Sequence, residues 1–285
     1  MTWELKYSQL DASVNFSKPL GSSIVECRFV QRDPSQVIVY LSSHAGCLQA
    51  CRFCHLTATG QTDETPVDLE GFVEQLEVVL NYWRDHKRTG KETHLNINWM
   101  ARGEPLNNPT VVDQWDRLME RFQQVITPYG FQTKFNISTI YPNVFERTLV
   151  EAFGGPIRPH IYYSLYSLDA KFRKRWLPKA QDPKKIINDL KNFAGIGNLV
   201  VHQAFIQGEN DSLDNLQEML HFLQQNVPQA KINTVRYNPF STKHGMESNA
   251  LEEIQRLINE QFVGQLVPRV GEDVAASCGC FLNHA

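Results

Sequence analysis

Six apolar, β-branched runs recur along this chain, and each is followed by a segment with helical spacing. The runs are 36–42, 93–100, 131–138, 158–165, 198–206 and 231–237. The helical patterns cover about 68–85, 109–125, 142–153, 183–194, 212–225 and 248–261. In the first of these, Phe72, Leu76, Val79, Leu80 and Trp83 recur at three-to-four spacing and draw one apolar stripe. Pro142 and Pro183 suit first-turn positions, where the missing N–H costs nothing. Strand–helix repeats in one direction predict an α/β fold with a parallel sheet and right-handed crossovers. Six units are fewer than the eight of a closed barrel, so an open, partial (β/α)6 barrel is expected.

The repeats begin near residue 36. Residues 1–35 therefore read as an N-terminal extension with one strand near 23–30, residues 36–270 as the barrel, and 271–285 as a C-terminal tail. The 23–30 strand is placed to form a hairpin with 36–42 through Arg32-Asp33-Pro34-Ser35. The chain has 285 residues, 42% hydrophobic and 21% charged, enough for one large domain with a substantial core. A net charge of −3 argues against a broadly basic nucleic-acid coat but allows a local basic patch. No apolar run reaches the roughly 18 residues of a membrane span. The first residues, Met1 to Lys6, lack a signal-peptide pattern. A cytoplasmic protein is expected, and with it six reduced cysteines available for metal or catalysis.

Three of those cysteines lie in one loop directly after the first strand run: Cys47, Cys51 and Cys54, spaced C-x-x-x-C-x-x-C, with Phe53 before the third. Three thiolates on a short loop can hold a four-iron cluster and leave one iron open to a chelating small molecule; four-cysteine clusters are closed electron carriers. The loop follows the C-terminal end of a strand, where barrel active sites are built. Zinc, with His44 or His55 as a fourth ligand, is the competing reading.

The triplet and its strand context resemble the radical S-adenosylmethionine (SAM) superfamily. The resemblance implies a [4Fe-4S] cluster on Cys47, Cys51 and Cys54 that cleaves SAM to a 5′-deoxyadenosyl radical. It also gives meaning to Gly103-Glu104-Pro105, after the second strand run, which looks like the motif that binds the SAM amino group. Over about 36–281 the chain is similar to the RlmN/Cfr family of RNA adenine methyltransferases. Ser42-Ser43-x-x-Gly46-Cys47, Ile137-Ser138-Thr139, Tyr163-Ser164-Leu165, Asn210-Asp211, Asn238-Pro239-Phe240 and the tail Gly271–Gly279 carry the likeness. By that similarity Phe53, Gly103, Glu104, Ser138, Ser164 and Asn238 contact SAM, and Cys278 carries a methyl group destined for an adenine carbon, C2 or C8. RNA, ribosomal or transfer, is the implied partner, with flavodoxin or ferredoxin as electron donor. A monomer is expected.

Two departures stand out. The family's second cysteine, which resolves a covalent intermediate, falls at Tyr40. A phenol forms no disulfide and is a poor base at neutral pH. Cys27 is the first candidate substitute. Closing the hairpin around Arg32–Ser35 pairs it with Tyr40, and starting the turn at Asp33 pairs it with Ser42; either way it shares Tyr40's face. Cys280 is the second, although a disulfide to Cys278 two residues away would be strained. A reaction needing no resolving thiol is the third possibility. The other departure is length: only about 35 residues precede the first barrel strand, so the family's N-terminal accessory domain is expected to be absent or vestigial.

A basic run, Lys171, Arg173, Lys174, Arg175, Lys179, Lys184 and Lys185, with Phe172 and Trp176 among it, is a candidate RNA surface by phosphate contact and stacking. Its bland alternative is a solvated helix face with core aromatics. The leading expectation is radical methylation of an adenine carbon in RNA. The rivals are a divergent radical SAM enzyme with other chemistry and a metal-stabilised RNA-binding module.

Overall fold

In the computed structural model, residues 2–283 are described; Met1 and the last two residues of the expected 271–285 tail lie outside them. One sheet of ten strands runs in chain order. Its strands are β1 Glu4–Tyr7, β2 Val14–Leu20, β3 Ser23–Val30, β4 Gln36–Leu41, β5 His94–Trp99, β6 Gln132–Thr139, β7 His160–Tyr163, β8 Asn198–Gln203, β9 Lys231–Val235 and β10 Gly264–Val267. β1 to β4 pair antiparallel. β4 to β10 pair parallel. The sheet is not closed, as six strand–helix units required. The six expected strand runs are β4 to β9; β10 adds a seventh parallel strand.

Side-chain alternation divides the parallel strands into two faces. β4 sends Val37, Val39 and Leu41 outward, and β5 sends Leu95, Ile97 and Trp99; all are buried in the main core. The opposite positions, such as Tyr40, Asn98 and Asn136, line the concave side. The helices are α1 His55–Ala58, α2 Leu69–Tyr82, α3 Pro109–Asp113, α4 Trp115–Ile126, α5 Leu149–Phe153, α6 Ala170–Trp176, α7 Pro183–Ala194, α8 Leu213–Asn226 and α9 Leu251–Asn259. α2 to α5 and α7 to α9 pack on the outer face, whereas Leu56 of α1 lines the cavity and Phe172 and Trp176 of α6 pack with Cys51 and Tyr166. On α2 the expected stripe is the buried face: Phe72, Leu76, Val79 and Leu80 are fully buried, and Phe72 meets Trp99 edge-on at 6.0 Å.

The expected helix at 142–153 is mostly loop. Only Leu149–Phe153 is helical, because Thr148 and Glu151 form a capping box that starts the helix there. Pro142 does not open a helix; it bridges to Ala180. Pro183 does occupy the first turn of its helix, behind an Asp182 cap.

The hairpin register corrects the reading of Cys27. β3 and β4 pair Cys27 with Leu41 and Arg28 with Tyr40. This register lies between the two considered from sequence, and a one-residue slip turns every side chain to the other face. Cys27 therefore points into the main core with Val39 and Leu41, fully buried. Arg28, not Cys27, stands beside Tyr40 on the concave side. Cys27 is a packing residue and cannot serve as the substitute thiol.

Candidate active site

The loops at the C-terminal ends of the parallel strands meet around a cavity of about 900 Å³. Cys47, Cys51, Phe53 and Cys54 reach it from the loop after β4, and Gly103 and Glu104 from the loop after β5. Ser138, Ser164, Asn238 and Cys278 line it as well. Every site residue expected from sequence except Cys27 thus faces one space.

The cysteine loop is held by backbone. Cys47 N–H donates to the Gln61 carbonyl at 3.0 Å, Arg52 N–H to that of Trp176 at 3.0 Å, and Ser43 N–H to that of Arg102 at 2.7 Å. Gly46 is required by space: a Cβ there would sit 2.6 Å from the Gln61 oxygen. Gly103 is required twice, by φ +92° and by Ser43 Oγ, 2.5 Å from where its Cβ would be. The Gly-Glu-Pro turn is in this way locked against the cysteine loop.

The three thiols are near enough to act on one another electrostatically. Burial, and then the nearby Cys54 charge, push Cys47 upward; burial, and then Cys47 and Cys54, do the same to Cys51. Burial pushes Cys54 up to about 11 against N–H donation from Leu56 and Thr57. A positively charged cluster would reverse that penalty, since metal binding deprotonates thiols outright. Among the described residues no three Cys, His, Asp or Glu side chains converge tightly enough for a single ion. His44 is engaged by Ser43 Oγ at 3.0 Å and His55 Nε2 by the Asn238 carbonyl at 3.0 Å, so the zinc arrangement is not preformed.

Glu104 is 6% exposed and has no cationic partner among the described residues. Its Oε1 accepts from Leu106 N–H at 3.1 Å and its Oε2 from Ile140 N–H at 3.2 Å. Burial nevertheless lifts it to about 7. A buried carboxylate held in place without a cation is what an incoming amino group needs. Phe53 stacks on Tyr166 with centroids 4.6 Å apart, giving the cavity an apolar wall.

The tail brings Cys278 in. Asn238 Nδ2 donates to the Cys278 carbonyl at 3.0 Å, and His55 N–H to the Gly279 carbonyl at 3.0 Å. Asn238 Oδ1 accepts from Arg269 Nε at 2.7 Å. Cys278 is an exposed residue that lines the cavity, and desolvation of its thiol there raises it to about 11. Its charge would be felt by Cys54 and by Tyr166, which places it next to the three-cysteine loop.

Sequence reasoning missed the residues that anchor this assembly. Arg102, 1% exposed, pairs with the fully buried Glu26 at 2.9 Å and donates to the Ala45 carbonyl at 2.8 Å, and also bonds Gln61. Glu26 also accepts from Leu282 N–H at 3.1 Å and from Asn15 Nδ2 at 2.8 Å. Arg28 donates to the Cys280 carbonyl at 2.8 Å. One buried charge cluster therefore ties β2 and β3, the cysteine loop and the tail together. Asn108 donates to the carbonyls of Ser43 and Val67 at 2.7 and 2.9 Å and caps α3. The only sequence signal was their position beside recognisable motifs.

The basic run divides. Phe172 and Trp176 are core residues and offer no stacking face. Arg173 is buried against the carbonyls of Leu165 and Gln181. Arg175 pairs with Glu209 at 2.7 Å. Lys171, Lys174, Lys179, Lys184 and Lys185 remain exposed.

The fold is shared with solved structures. A radical SAM methyltransferase from Sphaerobacter thermophilus superposes with a TM-score of 0.78 over 98% of this chain and 80% of that one, at 18% identity. Methylornithine synthase superposes with a TM-score of 0.51 over 79% of this chain and 63% of that one, at 13% identity. Partial barrel, three-cysteine loop and Gly-Glu-Pro turn together give the chain the architecture of those radical SAM structures. No family model matches the chain. Curated relatives named dual-specificity RNA methyltransferase RlmN do match. That of Nautilia profundicola is 23% identical over 85% of this chain and 66% of the relative, and that of Aliarcobacter butzleri 26% over 85% and 65%. That of Francisella tularensis is 28% identical over 91% and 70%. In sequence the chain is similar to RlmN-type radical SAM methyltransferases over most of its length. It spans just under two thirds of the length of the first two relatives. Among the described residues no helix is long and apolar enough to cross a membrane.

Proposed function

We propose that this chain is a radical SAM RNA methyltransferase acting at an adenine carbon, C2 or C8, through a methyl group carried by Cys278. The observation that carries the reading is the placement of Cys278 on the cavity of the three-cysteine loop, with Asn238 and His55 fixing the flanking backbone. Cys47, Cys51 and Cys54 would hold the [4Fe-4S] cluster. Gly103, Glu104, Ser138 and Ser164, with Phe53 and Asn238, would hold SAM. When bound, the cluster and SAM would supply one-electron reductive chemistry and a radical able to abstract hydrogen. Electrons would come from a small donor of the flavodoxin or ferredoxin class.

The chain's own residues do the rest. Glu104 accepts from the SAM amino group and orients it. The Phe53–Tyr166 stack shields that side of the site from water. Cys278 presents Sγ to the cavity as acceptor and later donor of the methyl carbon, and Arg28 and Arg32 offset part of the burial that holds its proton. Tyr40, hydrogen-bonded by Arg32 at 3.1 Å, supplies no thiol. Apart from the loop cysteines, Cys280 is the remaining thiol near Cys278 among the described residues, with Sγ 4.0 Å from His55 Nε2. Product release would fall to it or to an external thiol.

Protein produced with iron and SAM, digested and examined by mass spectrometry, tests the reading. A methyl increment on the Cys278 peptide is expected. An unmodified Cys278 in protein that still methylates RNA would exclude the carrier role.

A further inference from the structure

The concave side of the sheet is polar where closed barrels pack branched apolar side chains. Below the cysteine loop the cavity meets Asn98 and Asn136 at mid-height and Lys134 and Lys231 towards the other end. Asn98 and Asn136 are buried, and a buried polar atom without a partner is costly, so this part of the lumen is built for a polar occupant.

Its charge specifies which kind. Among the described residues lining the cavity, Glu104 is the one carboxylate. The cavity's Arg28, Arg236 and Arg269 are paired with Glu26 or Glu247. Arg32, Lys134 and Lys231 share the cavity and pair with no carboxylate among the described residues. Lys134 enters from β6 and Lys231 from β9. His160, on β7 between them, is lowered by burial and then by both lysines, so the two ammonium groups act on one locality. Arg32 reaches the middle of the lumen, where it donates to Tyr40 and, after burial, is the next cause holding His202 down at about 4.

One buried acceptor also faces this space. Asn136 is 4% exposed and donates Nδ2 to Asn98 Oδ1 at 2.6 Å, which leaves its own Oδ1 without a partner. Lys134 and Ser138 lie four residues apart on β6, a rise of about 13 Å at roughly 3.3 Å per residue. That depth suits a mononucleotide with its phosphate at the lysines and its base near the cysteine loop.

We propose that the lower lumen is a phosphate subsite, in which Lys134 and Lys231 hold the terminal phosphate of a nucleotide and Asn136 Oδ1 accepts from its ribose or base. The assignment rests on the nucleotide-substrate reading above and sharpens it: the target carries a phosphate monoester, as a free mononucleotide or as a chain end. Titration calorimetry on the cluster-reconstituted full chain at low salt tests it with two matched pairs. These are AMP against adenosine, and a 5′-phosphorylated adenine oligonucleotide against its unphosphorylated form.

The phosphate should tighten binding by about tenfold or more in one pair, which identifies the source. Lys134→Gln with Lys231→Gln should erase that gain and leave SAM affinity unchanged. Both lysines are exposed, so an unshifted melting temperature confirms that the variant folds. Equal affinities within both pairs, or a gain that survives in the double variant, would overturn the subsite. Phosphate-dependent binding in protein that fails to cleave SAM would uphold the subsite and count against the methyltransferase reading alone.

Discussion

Glu104→Gln separates two effects that this carboxyl combines. Burial raises it from an ordinary value of 4.5 to about 7. The folded chain therefore holds a proton that the unfolded chain releases. The resulting stabilisation is fully present below about pH 4.5 and is lost as pH rises through 7. From pH 5 to pH 8 the loss amounts to about 2.5 kcal/mol, and the glutamine variant lacks it. Urea melts of the SAM-free proteins should show wild type losing ground to the variant by about that amount over this interval. SAM binding should move the other way. The amino group needs the ionised carboxylate, so wild-type affinity should fall about eightfold between pH 7.5 and pH 6. The variant loses a buried charge-assisted hydrogen bond worth roughly 1.5–3 kcal/mol, a weakening of about 10- to 150-fold. Anaerobic calorimetry reads both. A variant that binds SAM like wild type, or a wild-type affinity flat across this range, would refute Glu104 as the amino-group partner.

Gly103→Ala drives a Cβ to 2.5 Å from Ser43 Oγ at a φ of +92°; it should cost about 2 kcal/mol or more of stability and impair cluster loading, read by melting and iron content. Glu26→Leu strands Arg102 and Arg28 as buried charges, for a loss of about 3–5 kcal/mol in denaturant titration, with the tail released to protease. Lys171→Glu with Lys174→Glu should weaken RNA binding and flatten its salt dependence without shifting the melting temperature, since both side chains are exposed; unchanged binding would remove this face from the RNA surface.

The cysteine loop and the Gly-Glu-Pro turn were legible because each is continuous in sequence and has one chemical use. The six strand runs were legible because their apolar positions are β-branched and bounded by turns. β1, β2 and β10 were not: β1 and β10 are four residues long and partly exposed, and β2 (Val14–Leu20) carries Asn15, Ser17, Lys18 and Pro19, so none shows enough apolar pattern to register. The hairpin register was invisible because it turns on a single residue of loop length, and that residue decided the fate of Cys27. Glu26, Arg102 and Asn108 were missed for another reason. The Glu26–Arg102, Arg102–Gln61 and Asn108 contacts that join the loops span 41 or more residues of sequence, so nothing local marks these residues as buried. The polar lumen was partly present in the alternation of segments such as His94–Trp99, where Asn96 and Asn98 interrupt an apolar strand.

The most direct measurement is the iron content of anaerobically reconstituted protein together with its formation of 5′-deoxyadenosine from SAM under reduction. About four irons per chain and steady product are expected, with both lost in Cys51→Ala. Wild-type protein that binds no iron and leaves SAM intact would contradict the assignment of Cys47, Cys51 and Cys54 to a radical SAM cluster.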